Sequence, residues 1–493
     1  MAPKSHLRLL GELILKSIDA IESRLETESI EFPVLANPVD PSSKAESLLR
    51  EADIVNATSY IVAAASQLIA TSSGKSLSTL RSKSHFAADK FHLPACIRAA
   101  VESNMVEIIR EAGHQGIHAN DIAKRNNTDP IKTARILRLL SNHHIFTEVD
   151  PDVFCINRLS SVLDSGKSAV ELQEAPHHRY VNMSSISALV LMQTDEAFKG
   201  AAYLTEAFIG PGTAYSLKAT DSPWNIATQT DAFLFDWYDW PENASRKTRF
   251  SFAMACSTKL EPPEAILSGS LLHVLFNMVN YFAAQGFKWG NLPDDSLIVD
   301  LGGGVGSTAL MIAKAVPHVK LVVQDRSSVI EDAKTYWAST PEFLESGRVK
   351  LQVHNFFEPQ PLKAVAVFLL RWIMHDWADP SALQILQQLR AAATPATKLI
   401  TVDIILPHTC QDTRVIDLIP GATVPAAPAP LLPNMGAASN MKYWLDFQMF
   451  VLGNCQERTL GHFVRLAAQG GWKVAEVHHV PGSFLGQCVS VPI

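Results

Sequence analysis

The stretch "SLIVDLGGGVGSTAL", Ser296 to Leu310, constrains this chain more than any other. A short run of branched apolar residues ends at Asp300, a glycine-rich loop follows, and a helical pattern begins at once. Glycines at 302, 304 and 306 let the backbone turn tightly and let a ligand press against it. Similar apolar runs recur downstream as "KLVVQD", "RVKLQV", "AVAVFLL", "KLITVDIIL", "WKVAEVHHV" and "QCVSVPI", with helical stretches between most of them. That alternation predicts an α/β fold with a doubly wound, Rossmann-like sheet whose ligands sit at the carboxyl ends of the strands.

The loop alone leaves three readings open: an S-adenosylmethionine site, a nicotinamide site and a purely structural turn. Ser307 stands where the third glycine of a dinucleotide fingerprint counted from Gly302 would be, and Asp300 opens the loop. Both features favour the methyl-donor version. The second strand ends in Gln324-Asp325, where a carboxylate can take both ribose hydroxyls.

The fourth run, "AVAVFLLRWIMHDWADP", delivers Arg371, Trp372, His375, Asp376 and Trp377 to the edge of the cofactor crevice. A lone histidine is more often structural than catalytic. Two carboxylates are expected to converge on this one, Asp403 at the end of the fifth strand and Glu457 opening a helix in "NCQERTLGHF". Carboxylates beside an imidazole fix its tautomer and stabilise the imidazolium formed when it takes a proton.

Upstream, residues 1–94 read as a helical extension with a proline-bearing linker and an alanine-rich helix through "YIVAAASQLIA", suited to packing or subunit contact. No run is expected to reach bilayer-spanning length. Residues 95–165 have the layout of a winged helix. Its candidate recognition helix, "IKTARILRLL", is poor in basic residues, so a scaffold or dimer role is favoured over DNA binding. Residues 166–290 are helical and rich in Met and aromatics, and residues 291–493 carry the sheet. Within the latter, 409–440 is a Pro/Ala-rich insertion, read either as a lid or as a disordered loop.

A 47% apolar content over 493 residues is ample for such cores. The net charge of −7 argues against nucleic acid as the main partner. Six cysteines without C-x-x-C spacing suggest reduced thiols and a cytoplasmic protein. No metal-ligand spacing is evident, so metal-free catalysis is expected.

From "IVDLGGGVG" to the C-terminus the chain resembles the class I S-adenosylmethionine-dependent O-methyltransferases of the caffeic-acid/flavonoid type, especially their fungal secondary-metabolism branch. Its upstream helical and winged-helix parts resemble that family's dimerisation region, which implies a homodimer. "RWIMHDWAD" resembles the family's H-D-W motif, making His375 the general base, with Asp403 and Glu457 at the two flanking acidic positions. Asp403 replaces a glutamate common there and has a shorter reach.

By the same resemblance Asp300, Gly302, Gly304 and Gly306 form the cofactor loop. Asp325 is the ribose ligand, Asn355 and Phe356 are the adenine-side pair, and Arg371 is a basic cofactor-side position. Asn355 stands where an aspartate is usual, though its amide oxygen can still accept from an adenine amine. Met192, Met254 and Met449 are candidate walls of an aromatic acceptor site. The expected reaction is methyl transfer to a phenolic hydroxyl of a small aromatic. The alternatives are a methyltransferase-like winged-helix regulator without turnover and a nicotinamide oxidoreductase.

Overall fold

In a computed structural model the described residues are 4–72, 89–180, 186–260, 266–267, 286–412, 418–480 and 483–493. The chain divides into two compact units, Met1–Ala214 with Pro223–Leu260, and Tyr215–Ser222 with Glu261–Ile493.

The first unit begins with a pair of packed helices, His6–Glu28 and Ala52–Ser72. Ile21, Leu25, Leu48, Ile54 and Ala57 form their shared core. Ala52–Thr71 meets the length and apolarity of a membrane span on composition alone, contrary to the expectation that no run would. Its residues score lower individually than a leucine-rich span, because alanine, serine and threonine are interleaved, and this masked the run in the sequence.

Beyond the linker lies the winged-helix layout. Helices His92–Glu102, Met105–Ala112, Ala119–Asn126 and Pro130–Asn142 accompany three short strands, β1 (Ile117–His118), β2 (Phe146–Asp150) and β3 (Val153–Ile156). The strands pair antiparallel in the order β1-β3-β2. The helix Pro130–Asn142 starts where sequence chemistry dictates, with Asp129 accepting from the Lys132 N–H at 2.9 Å and proline in the first turn. Arg138, one of its few basic side chains, pairs with Glu148 and Asp152.

Buried charge is paired in this unit. Glu107 meets Arg179 at 2.8 Å, and Asp195 and Glu196, on a π-helical turn, face Arg246 and Arg249.

The second unit is built on a seven-stranded sheet. Its strands are β4 (Leu297–Leu301), β5 (Lys320–Asp325), β6 (Val349–Val353), β7 (Val367–Arg371), β8 (Lys398–Ile404), β9 (Trp472–His479) and β10 (Leu485–Pro492). The order is β6-β5-β4-β7-β8-β10-β9, and only β10 runs against its neighbours. Strands such as β7 are buried on both faces, which is why they read as unbroken apolar runs rather than alternating ones. The sheet separates two apolar clusters, one around Trp337 and Ile298, the other around Phe368 and Trp472.

The order reverses between β4 and its neighbours β5 and β7, so the carboxyl ends of β4, β5, β7 and β8 bring Asp300, Asp325, Arg371 and Asp403 to one edge. Within the insertion, residues 413–417 lie outside the described residues. The remainder is not a detached loop: Val477 N donates to Pro420 O at 2.9 Å, and Ala422 and Ile419 join the Phe368 cluster.

Trp472 is fully buried, and its indole donates to Leu386 O at 3.0 Å. Trp472→Phe deletes that hydrogen bond and part of a fully buried ring while Leu386 O keeps its helical partner, so a loss of about 1–3 kcal/mol is expected, chiefly from lost packing. Urea unfolding should show a lower midpoint at an unchanged m-value.

Candidate functional site

The cofactor-side loop leaves β4 with left-handed glycines, φ +64° at Gly302, +58° at Gly304 and +87° at Gly306. The helix Ser307–Ala315 follows directly. The glycines serve different ends. A Cβ on Gly306 would lie 2.7 Å from Trp337 Nε1, so this position is closed by packing. A Cβ on Gly304 would meet nothing within 4 Å. The Gly304 position is therefore an open cradle, bounded by the Asp325 carboxylate.

Asp325 ends β5 with Oδ2 accepting from Gly304 N at 2.9 Å and Oδ1 accepting from Arg326 N at 2.7 Å. Burial raises its pKa, and those two N–H groups hold it back. Asp300 lies beneath the loop, almost wholly buried, with Oδ2 unpaired among the described residues. Burial pushes it up to about 7 against the pull of Arg371, with the Asp325 charge adding to the rise.

Asn355 is exposed, and its Oδ1 accepts from Phe357 N at 3.1 Å, so one lone pair of the expected adenine-side oxygen is already engaged. Phe356 is half-buried, its ring 5.0 Å from Phe357 and 5.8 Å from Trp377.

The chain then turns sharply after β7. Trp372 adopts φ +56°, unusual for a bulky residue, and a 3₁₀ turn Met374–Asp376 presents His375. His375 Nδ1 is 2.7 Å from Glu457 Oε1. An ionised carboxylate only accepts, so Nδ1 carries the hydrogen, and Nε2 holds the lone pair when the ring is neutral. Asp376 Oδ1 stands 3.5 Å from Nε2, and the Trp372 ring lies 4.8 Å from the imidazole.

Burial opposes charge on His375, but the charges of Glu457 and Asp376 and the Glu457 hydrogen bond outweigh it, and the pKa is pushed up to about 10. The carboxyls pay the opposite way: burial lifts Asp376 to about 6 and Asp403 to about 7, although His375 pulls both down.

Asp403 shares a cavity of about 30 Å³ with His375, Glu457, Thr401 and Cys488. Neither of its oxygens is hydrogen-bonded among the described residues. The expected convergence is therefore divided: Glu457 touches the imidazole, while Asp403 acts on it through charge alone. Glu457 also does not open a helix, as expected, but precedes the Thr459 cap of the helix Leu460–Gln469. Its backbone N–H donates to Asp446 Oδ1 at 2.9 Å, which fixes the segment before the helix.

Met449 lies half-buried on the helix Asn440–Gly453 of the same unit. Met192 and Met254 belong to the first unit, where Met192 is buried with Ala188 and Ala253, and Met254 packs against that group.

Sequence reasoning missed two contacts around His375. Asp376, inside the quoted motif, faces His375 on the opposite ring nitrogen from Glu457. Arg458 is buried and donates to Met374 O at 2.5 Å, Trp377 O at 2.6 Å and Asp379 Oδ1 at 3.0 Å, clamping the turn that carries His375. The available signal was its place beside Glu457.

Comparison with known proteins decides the family. Residues 281–422 match the O-methyltransferase domain family, and residues 87–165 match the O-methyltransferase dimerisation domain. An O-methyltransferase of Armillaria gallica is 40% identical, covering 99% of this chain and 100% of its own. A 4-O-methyltransferase 1 of Phanerochaete chrysosporium is 38% identical over 99% of both chains. The chain belongs to the O-methyltransferase family. This O-methyltransferase also shares its fold with OxaC, solved with SAH and oxaline, at a TM-score of 0.61 and 17% identity over 98% of this chain and 100% of that one. Family membership removes the nicotinamide reading of the glycine loop.

Two outcomes are expected of this O-methyltransferase. Arg458→Met leaves two buried carbonyls without their donor and should cost roughly 2–5 kcal/mol in denaturant unfolding. His375 binds its proton more tightly folded than unfolded, so the pair's stabilisation is complete below the unfolded value of about 6.5 and is lost as pH rises toward about 10. Glu457→Gln should flatten the fall in unfolding free energy measured from pH 7 to pH 10; an unchanged slope would refute the assignment.

Proposed function

We propose that this O-methyltransferase moves a methyl group from S-adenosylmethionine to the phenolic hydroxyl of a small aromatic, with His375 as general base, acting as a homodimer. The observation that carries the reading is the buried His375–Glu457 contact at 2.7 Å, which leaves Nε2 as the proton-accepting atom.

The residues present fit the methyl donor. Gly304 offers open backbone, and Asp325 holds a carboxylate at the strand end where ribose hydroxyls would be taken. Phe356 offers a ring beside the loop for the adenine, Asn355 a remaining lone pair, and Arg371 a balancing charge near Asp300. When bound, adenosylmethionine supplies an electrophilic sulfonium methyl.

His375 removes the acceptor proton. The O–H bond of the acceptor breaks, its electron pair stays on oxygen, and the proton passes to Nε2; the methyl group would go to that oxygen as its carbon–sulfur bond breaks, the pair staying on sulfur, which leaves as a neutral thioether. Glu457 holds the ring's orientation and, with Asp376 and Asp403, stabilises the resulting imidazolium.

The carboxylates also set the acceptor class. An unperturbed histidine at about 6.5 lies roughly 3.5 units below a phenol-like hydroxyl of pKa about 10, or about 5 kcal/mol. At about 10 His375 is matched to such a hydroxyl. A hydroxyl with a pKa nearer water, about 15.7, still leaves a deficit of roughly 8 kcal/mol. The cost of the raised pKa is that most of the enzyme rests protonated at neutral pH. Met449 is a proposed acceptor-side residue in the unit that carries His375.

Methyl transfer to a panel of simple phenols should be observed with wild type, and His375→Ala should lower kcat by about 10²–10⁴-fold with cofactor affinity retained. The rate should climb with pH beyond 7, and Glu457→Gln should move that rise to lower pH. A pH profile with its midpoint near 6.5 in both proteins would sink the base assignment. Gly304→Ala, strained by about 1–2 kcal/mol but unobstructed, should weaken adenosylmethionine binding by calorimetry; unchanged affinity would exclude the cradle.

A further inference from the structure

Phe356 borders the glycine loop: a Cβ on Gly302 would lie 3.4 Å from its Cε1. The ring is carried by residues 354–362, "HNFFEPQPL", which follow β6 and form neither strand nor helix. Pro359 and Pro361 have no N–H, so neither can tie this loop to a neighbour through a backbone donor. Glutamine amides tie it instead.

The strand β5 runs Leu321, Val322, Val323 and then Gln324, which is 1% exposed. An apolar side chain would fill that place without any need for partners, whereas a buried amide is costly unless its donors and acceptor are met. Those of Gln324 are met. Its Nε2 donates to Gln360 Oε1 at 3.0 Å and to Gln352 Oε1 at 2.8 Å, and its Oε1 accepts from Gln360 Nε2 at 2.9 Å. Gln360 is buried within the loop, and its Oε1 also accepts from Leu362 N at 3.2 Å. A second pair of amides reaches the loop from the helix Asp379–Ala392. Gln384 and Gln388, one turn apart, both donate to Phe357 O, at 3.0 and 3.3 Å.

Gln324 also holds the glycine loop. Its backbone carbonyl accepts from Gly302 N at 2.8 Å and from Gly303 N at 3.2 Å, and Asp325 beside it accepts from Gly304 N. One residue thus fixes the glycine loop by its main chain and the Phe356 loop by its side chain. Apolar packing tolerates sliding; a reciprocal amide pair fixes direction, and a fully satisfied buried network makes its parts rigid. A wall that is already rigid spares a ligand the cost of ordering it.

We propose that Gln324 and Gln360, with Gln384 and Gln388, are positioning residues for the adenine end of the methyl donor. They act through the loop that carries Asn355 and Phe356, setting its place against the glycine loop and hence the affinity for the cofactor, and they take no part in methyl transfer. The inference rests on the reading of this crevice as the S-adenosylmethionine site.

The test is calorimetric titration of S-adenosylmethionine into wild type, Gln324→Leu and the double variant Gln384→Ala with Gln388→Ala, with urea unfolding of each. Gln324→Leu should raise the dissociation constant about 10-fold or more, and the double variant about 3-fold or more. Alanine is the stronger helix former, so the double variant keeps its helix and decides the matter should Gln324→Leu misfold. In a Phe356→Ala background, the further loss from either change should shrink to less than about twofold, because residues that act through one group are not additive. Folded variants that bind within about twofold of wild type overturn the proposal, even where their unfolding midpoints fall, and leave the donor reading standing. Losses that stay additive with Phe356→Ala also overturn it, since the amides would then act elsewhere than through that ring. A wild type that does not bind S-adenosylmethionine overturns the donor reading and this proposal together.

Discussion

The site depends on the buried guanidinium of Arg458. Its donors reach the carbonyls of Met374 and Trp377, on either side of the 3₁₀ turn that presents His375, and the carboxylate of Asp379 at the start of the next helix. A turn this tight exposes backbone carbonyls that no strand or helix satisfies, and in a dry interior each would be costly. One planar fork of five donors answers several of them together, as a lysine could not. Arg458 is next to Glu457 in sequence, so the group that fixes the turn also fixes the carboxylate that orients the ring.

Around that frame the charges are unbalanced on purpose. Three carboxyl groups, Glu457, Asp376 and Asp403, exert charge on one imidazole. Burial penalises each of the two aspartates in its charged form, and a proton on the ring relieves both of them. The cluster is thus more comfortable after proton abstraction than before it. The same arrangement that makes His375 a poor donor of its proton makes it a strong acceptor, which is the direction the proposed reaction needs.

Much of this was legible in the chain. Unbroken apolar runs such as Val367–Leu370 mark strands covered on both faces, and the glycine loop after Asp300 marks where the first of them ends. The winged helix was readable because its caps and turn residues are local chemistry, as at Asp129 and the β2–β3 turn. What escaped depends on distance in sequence. That Glu457 would touch His375 while Asp403 would not is a matter of tenths of nanometres set by packing across 82 and 28 positions respectively, and no spacing rule carries it. Arg458 was invisible for a related reason: its partners are backbone carbonyls, which have no sequence identity to search for.

The shorter aspartate at 403 has a physical consequence beyond reach. With neither oxygen hydrogen-bonded among the described residues, its interaction with the imidazolium is a field effect across a small cavity rather than a directed contact. Directed contacts orient a ring; fields only change the energy of its charge. Glu457 therefore carries the whole task of holding the Nδ1 tautomer, and Asp403 contributes to basicity alone. Two acidic positions that look equivalent in a motif are separated here into an orienting group and a tuning group. With no directed partner in that cavity, what position 403 gives the imidazole is charge and not contact.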